Sequence, residues 1–331
     1  MNKRKERILF MTCILLIACI FLISCKKKEP ISKTGFYFDT VISITIYDSS
    51  KEYTLENCFA LAEKYENLFS TTVEGSDIWN INHANGKPIT VDAETSLLLQ
   101  KALSYAELTD GLFTPTIAPL SSLWNFSSAT TGKRTVPSAE EISSKLAHTD
   151  YHNLQINGQT VQLSDKSGAV DLGAIAKGYI ADKMKEYLLE EGVESATINL
   201  GGNVLTVGTK PDGNNYIIAV QKPFSETGTA ETTVAVADCS VVTSGIYERY
   251  FEQDGKFYHH VLNPHTGYPI ENTLASVTVL SRSSTEGDAL STSCLLLGLE
   301  DGKAFIESLP NTEALFITKD GTLYYTDGFP H

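Results

Sequence analysis

The sequence predicts an α+β fold: a single large domain of two interlocked α/β halves with mainly antiparallel sheets. Three observations carry this. Apolar residues at helical spacing dominate roughly the first 190 positions. Short runs of β-formers bounded by Gly, Asn and Asp dominate the remainder. With 331 residues, the chain is long enough for one large core or two joined halves once an N-terminal signal is set aside. Strands in runs beside segregated helices indicate α+β rather than alternating βα units.

The elements follow in order. A strand is expected over 40–47, then a helix over 55–69, where Leu55, Phe59, Ala62 and Phe69 share one face. A helix near 93–109 precedes a loop that carries Phe113, and the Ser- and Thr-rich stretch 121–138 reads as loop. Ile175, Tyr179, Ile180, Met184, Tyr187 and Leu188 recur at helical spacing until Gly192 stops the run. Strands are expected over 196–200, 216–222, 233–237, 257–262 and 274–280. A helix over 285–299 follows, with Leu290, Cys294 and Leu297 apolar and Gly298 near its end. The chain closes with a further helix and a hairpin turning at Asp320-Gly321. No repeat of fixed period is present.

The ends and the charge bound where and on what the protein acts. Lys3, Arg4, Lys5 and Arg7 precede an apolar run over 8–23, the layout of a secretory signal. Leu22-Ile23-Ser24-Cys25 is the pattern cut before a cysteine that then receives lipid. The expected organisation is therefore a lipoprotein signal over 1–24, a lipidated tether over 25–34 and one domain over 35–331. Lipid on Cys25 would hold that domain at the extracytoplasmic face of the cell membrane. The rival is a permanent anchor helix, for which the run is barely long enough. A formal net charge of −14 excludes nucleic acid as a partner and repels a diphosphate, which is a reason for a cation at any phosphate site. Of six cysteines, Cys13 and Cys19 fall in the signal and Cys25 at its end, and the scattered Cys58, Cys239 and Cys294 make no disulfide framework.

Chemistry concentrates in Asp171-Leu172-Gly173-Ala174-Ile175-Ala176-Lys177-Gly178. A carboxylate, a Gly turn and a lysine lie at the mouth of a helix, where free N–H groups and the helix dipole stabilise oxyanions. The bland alternative makes Asp171 a capping group and Lys177 a solvated charge. A second cluster, Asp288 and Thr292, lies four residues apart on one helix face, so both can point at one ion. Carboxylate, hydroxyl and backbone carbonyl are hard oxygen ligands suited to Mg²⁺. In the bland alternative Asp288 caps its helix and Thr292 bonds back to the Asp288 carbonyl. Between the clusters, His259 and His260 are neighbours on a strand and face opposite ways, which argues against a three-histidine zinc site. One histidine as acid or base fits better, and His259 reads as a structural ring bonded to a strand-end carbonyl.

Six separated segments resemble, in order, the ApbE-type FAD:protein FMN transferases, also called flavin transferases. They are TDGLFTPTIAPL, DLGAIAKGYIADKM, NLGGNV, TSGIYERYF, HHVLNPHTGYP and the pair SVTVL and EGDALST. The resemblance spans about residues 36–325. It implies that Asp171 and Lys177 contact FAD, that Leu112, Phe113 and Thr114 line the flavin site through backbone, and that Leu262 adds a further FAD contact. It implies Mg²⁺ held by the Ala174 carbonyl with Asp288 and Thr292, and His260 helping to deprotonate the acceptor hydroxyl. The family's opening Met-Gly-Thr is Phe38-Asp39-Thr40 here: Phe38 can cover the flavin as an apolar group, whereas Asp39 removes the freedom of glycine.

The expected reaction is attack of a Thr or Ser hydroxyl of an acceptor protein on the FMN-side phosphorus of FAD, with AMP leaving. His260 or Asp288 would take the proton. The acceptor carries a Ser/Thr flavinylation motif and is expected to be a membrane-bound or secreted redox protein. Ser167-Gly168-Ala169-Val170 resembles that motif but has no hydroxyl at its last position, so this stretch is no acceptor. Two alternatives stand beside transfer. One is a Mg²⁺-dependent FAD pyrophosphatase; the other is a non-catalytic lipid-anchored protein that binds flavin or, more distantly, another solute.

Overall fold

The structure, a computed structural model, describes residues 29–126 and 134–330. The expected signal over 1–24, the expected lipidation at Cys25 and part of the stretch read as loop lie outside the described residues.

The chain starts with a hairpin, β1 (Ile31–Tyr37) and β2 (Thr40–Ile46). Tyr37 and Thr40 are the last pair before the turn, and Phe38 and Asp39 turn the chain with φ of 54° and 56°. A two-residue turn with both φ positive matches the strand twist, and aspartate tolerates it better than most residues. This accounts for Asp39 where the family has glycine. β1 was not anticipated, and it begins inside the segment read as tether.

Three helices follow: α1 (Glu52–Phe69), α2 (Asp77–His83) and, after the short β3 (Ile89–Thr90), α3 (Ala93–Leu108). α1 buries Leu55, Cys58, Phe59, Ala62, Tyr65 and Phe69, the face that its spacing predicts. α4 (Ala118–Trp124) corrects the reading of 121–138 as loop, because residues 121–124 are helical. Pro at its first turn starts this helix, Asn125 at φ 49° ends it, and Trp124 is buried. α5 (Ala139–Leu146) opens on a reciprocal capping box between Ser138 and Glu141.

β4 (Leu154–Asn157) and β5 (Thr160–Leu163) join β3 in a small sheet, and α6 (Ala176–Glu190) follows. Next come β6 (Ala196–Leu200), β7 (Asn203–Val207), β8 (Tyr216–Gln221), β9 (Ala230–Val236), β10 (Ser240–Gly245), β11 (Tyr250–Gln253) and β12 (Lys256–His259). The strand expected over 257–262 ends early. Leu262 meets Pro269 in an isolated bridge, and proline has no N–H to carry a ladder further. β13 (Leu274–Ser281), α7 (Ser284–Leu297), α8 (Leu299–Glu307), β14 (Glu313–Thr318) and β15 (Leu323–Tyr325) complete the chain.

Eight strands form one antiparallel sheet in the order β1-β2-β6-β7-β10-β13-β14-β15. Its middle is narrow: β7 and β10 pair only through Ser240 with Leu205 and Val241 with Val204. This seam divides the expected two halves. The first half packs Ile42, Ile44, Ile46, Ile198 and Leu200 with α1 and α6. The second packs Val277, Val279 and Phe316 with Leu290, Cys294 and Leu295 of α7. Each such side chain stabilises the fold by roughly 1.5–3 kcal/mol when fully buried. The other face of the second half is covered by the β8–β9 ribbon, so β13 is buried along its whole length. α6 and α7 lie side by side across the seam, one from each half.

Candidate active site

The contact between α6 and α7 brings the two predicted clusters together. Gly178 sits where the helices touch: a Cβ there would lie 2.1 Å from the Ser284 carbonyl oxygen and 2.8 Å from Asp288 Cβ. Only glycine permits this approach. The Gly178 N–H donates to Asp288 Oδ2 at 2.9 Å. In a regular helix that N–H would bond the carbonyl four residues back, which is Ala174. Because Asp288 takes it instead, no backbone N–H donates to the Ala174 carbonyl among the described residues. Lys177 Nζ donates to the Gly173 carbonyl at 3.1 Å and reaches Asp288 Oδ1 at 3.4 Å. Turn, lysine and buried carboxylate thus share one small space.

Thr292 lies one turn beyond Asp288 on α7. Ser244 Oγ lies 3.1 Å from Thr292 Oγ1 and 2.8 Å from Ser291 Oγ, and Ser291 donates to the Asp288 carbonyl at 3.0 Å. The back-bond that the bland alternative gave to Thr292 is made by Ser291 instead. Asp171 does not cap α6: its Oδ1 accepts the Gly173 N–H at 2.7 Å and shapes the turn ahead of the helix. A buried carboxylate, a hydroxyl and a carbonyl freed from its helix bond form a hard oxygen set that fits a Mg²⁺ ion. No group of three or more His, Cys, Asp or Glu side chains gathers for a metal among the described residues.

The remaining predicted residues fall into two kinds. The Asp171 N–H donates to the Pro115 carbonyl at 2.8 Å, which ties the 112–115 loop to the turn ahead of α6. Within that loop the Phe113 ring is buried beside Tyr105, and the Leu262 side chain is buried with Leu120, Trp124 and Ile142. Both side chains are buried in core, and the Phe113 N–H is already given to Thr109 Oγ1 at 2.9 Å. Leu112 is half-buried and gives its N–H to the Thr109 carbonyl at 3.1 Å. The Thr114 hydroxyl meets that of Thr116 at 2.8 Å. The Phe38 ring packs on the first core, and its N–H donates to Glu66 at 2.8 Å.

His260 is half-buried, and its Nδ1 lies 3.3 Å from the Arg249 carbonyl. Burial first, then the positive charges of Arg249 and Lys177, push its ring down to about 3, so it is neutral near pH 7. His259 points the other way, is buried, and has Nε2 at 3.2 Å from the Ile270 carbonyl, the structural role expected of it.

Four residues were missed. Asp182 accepts from Ser283 Oγ (2.7 Å), the Ser284 N–H (2.7 Å), the Thr285 N–H (2.9 Å) and Thr285 Oγ1 (2.6 Å), so α6 clamps the start of α7. Asn82 accepts the Val170 N–H at 2.6 Å and donates to the Val170 carbonyl at 2.9 Å, just ahead of Asp171. Ser244 orients Thr292. The Glu248 carboxyl is raised by burial, an effect that the charges of Lys177 and then Arg249 oppose. The carboxylate four residues after Gly178 was visible in the sequence; its partners were not.

A family model described as the ApbE family matches residues 38–316. The chain belongs to the ApbE family. It is 40% identical over 275 residues to an FAD:protein FMN transferase of Klebsiella pneumoniae (strain 342), covering 82% of this chain and 84% of that one. It is 34% identical over 334 residues to one of Treponema pallidum (strain Nichols), covering 95% and 91%. Among solved structures, the ApbE protein of Thermotoga maritima superposes with a TM-score of 0.82 at 32% identity, over 90% of this chain and 97% of that one. The flavin transferase ApbE of Vibrio cholerae also gives 0.82, at 29% identity, over 91% and 98%. The mixed α/β architecture with mainly antiparallel sheets is thus that of ApbE proteins.

Proposed function

We propose that this chain is a Mg²⁺-dependent FAD:protein FMN transferase that joins FMN to a Thr or Ser hydroxyl of another protein and releases AMP. One observation carries the reading: Asp288 takes the Gly178 N–H and leaves the Ala174 carbonyl available beside a lysine and a carboxylate. A plain helix–helix contact has no need of that exchange.

Asp288, Thr292 and the Ala174 carbonyl would hold Mg²⁺, which when bound neutralises charge that develops on the phosphate oxygens. Lys177 and the N–H groups opening α6 bind the diphosphate. The backbone of 112–114, the Leu262 backbone and the Phe38 ring line the flavin, and Asp171 shapes the turn beneath it. The acceptor oxygen forms a bond to the FMN-side phosphorus as the bond to the AMP oxygen breaks. Asp288 has one oxygen on an N–H and the other facing Lys177, so neutral His260 is the better holder of the released proton.

The signal layout and Leu22-Ile23-Ser24-Cys25 support a lipid anchor on Cys25. With β1 starting at Ile31, such an anchor would keep the body close to the membrane surface.

Incubation with FAD, Mg²⁺ and a candidate acceptor should yield AMP and protein-attached flavin in equal amounts. Asp288→Asn should lower that rate by about 100-fold or more, since it removes the carboxylate of the proposed ligand set. AMP without attached flavin would assign hydrolysis instead, and neither product would leave a flavin carrier. Cys25→Ala should move the protein out of the membrane fraction.

A further inference from the structure

Thr292 is the first of three hydroxyls in a line, and the direction of their hydrogen bonds is fixed by where the line ends. Thr292 Oγ1 lies 3.1 Å from Ser244 Oγ, Ser244 Oγ lies 2.8 Å from Ser291 Oγ, and Ser291 Oγ lies 3.0 Å from the Asp288 carbonyl oxygen. A carbonyl only accepts, and a hydroxyl has one proton to give. Ser291 therefore gives its proton to the Asp288 carbonyl and accepts from Ser244. With its own proton used there, Ser244 accepts from Thr292.

The consequence falls on the Thr292 oxygen. Its proton is drawn toward β10, which leaves its lone pairs for the side away from Ser244, and Thr292 is half-buried rather than sealed. A metal ligand needs such a lone pair. A threonine in a helix otherwise divides between two rotamers, one of which bonds the carbonyl four residues back. For Thr292 that carbonyl belongs to Asp288, which already takes the Ser291 proton. The selecting hydroxyl comes from the sheet and not from α7: Ser244 turns to the helix, while its neighbour Thr243 turns to the other face and meets Thr278 at 2.8 Å. A carbonyl at the far end is no base, so the line orients Thr292 and carries no proton away from it.

We propose that Ser244 is a positioning residue for the cation site: its hydroxyl holds the Thr292 proton away, so that the Thr292 oxygen is set as a neutral ligand before a divalent cation arrives. The inference rests on the reading of Asp288, Thr292 and the Ala174 carbonyl as the cation's ligands. It adds that a residue outside that set, on a strand of the second half, governs the affinity. Partners behind metal ligands contribute about 10–100-fold in affinity.

The test is a titration of Mn²⁺ into the ligand-free protein, with free Mn²⁺ counted by its electron paramagnetic resonance signal and the fold checked by the urea midpoint. Ser244→Ala should bind about tenfold more weakly than wild type, whereas Ser244→Thr, which keeps the hydroxyl, should recover most of the loss. Thr292→Val keeps the shape of the side chain and removes its lone pairs, so in that background Ser244→Ala should cost nothing further. Should Ser244→Ala fail to fold, Ser291→Ala cuts the line at its far end and frees Ser244 to donate to Thr292; it should weaken binding by wild type but not by Thr292→Val. The proposal is overturned if Ser244→Ala binds Mn²⁺ as tightly as wild type, if Ser244→Thr binds no better than Ser244→Ala, or if the loss is equal in wild type and in the Thr292→Val background. A wild type that takes up no Mn²⁺, or a Thr292→Val protein that binds it like wild type, overturns the ligand reading itself and this inference with it.

Discussion

Gly178 is the residue on which the candidate site turns. Adding one methyl would drive a Cβ into the Ser284 carbonyl and Asp288 Cβ. Gly178→Ala should therefore destabilise the protein by about 1–3 kcal/mol in urea unfolding, and should weaken the proposed Mg²⁺ binding because the helix carrying Asp288 must retreat. The two adjacent histidines make a second residue-scale prediction. In the unfolded chain each takes up a proton near 6.5; in the folded chain burial lowers His259 to about 4 and His260 to about 3. Between those values the unfolded state binds more protons, so unfolding free energy rises with pH. Their contribution is fully present above pH 6.5 and is lost as pH falls toward 4. Urea midpoints at pH 7.5 and 5 should show the drop, and His260→Gln should reduce it. Asp288 and Thr292 were legible as a pair because helical spacing puts them on one face, and Asp171 and Lys177 because they flank the start of a helix. Asp182, Asn82 and Ser244 were not, because their work is done on partners 101, 88 and 48 residues away.

Among elements, the start of α7 is the most exacting. Its Ser283 cap bonds the Glu286 N–H, as a cap should, yet Asp182 on another helix satisfies two further N–H groups and two hydroxyls. Asp182→Ala should cost about 2 kcal/mol or more and should lower affinity at the proposed Mg²⁺ site without touching a proposed ligand. Thermal unfolding and metal titration read the two effects separately. The long helices were legible from their apolar period. β7, β10 and β11 were not, since Gly-rich turns and Ser- and Thr-bearing runs mask alternation in strands whose burial comes from distant neighbours. The stretch 121–138 shows the same limit at its start. Its Ser residues suggested a loop, while Pro119 and buried Trp124 make a short helix, and Trp124 Nε1 reaches the Gly267 carbonyl at 2.8 Å.

At the level of the whole molecule, two half-sheets meet through a narrow seam and are held together by α6 and α7 crossing it. The α+β class and the two halves were legible from the order of helical and strand patterns; their fusion into one sheet was not, because pairing of β7 with β10 leaves no local signature. None of Cys58, Cys239 and Cys294 is bonded to another, and each thiol is pushed up by burial, Cys58 to about 12. Native protein at pH 8 should thus alkylate slowly, and its unfolding temperature should not shift when a reductant is added; rapid loss of free thiol would show that the core opens.

The hydrogen bond that Gly178 gives to α7 rather than to its own helix has a kinetic corollary. That amide is protected from solvent only while the halves stay docked, whereas its neighbours further along α6 are shielded by the helix itself. Deuterium uptake at this one position therefore times the parting of the two halves, and a bound cation that grips both sides should slow it selectively.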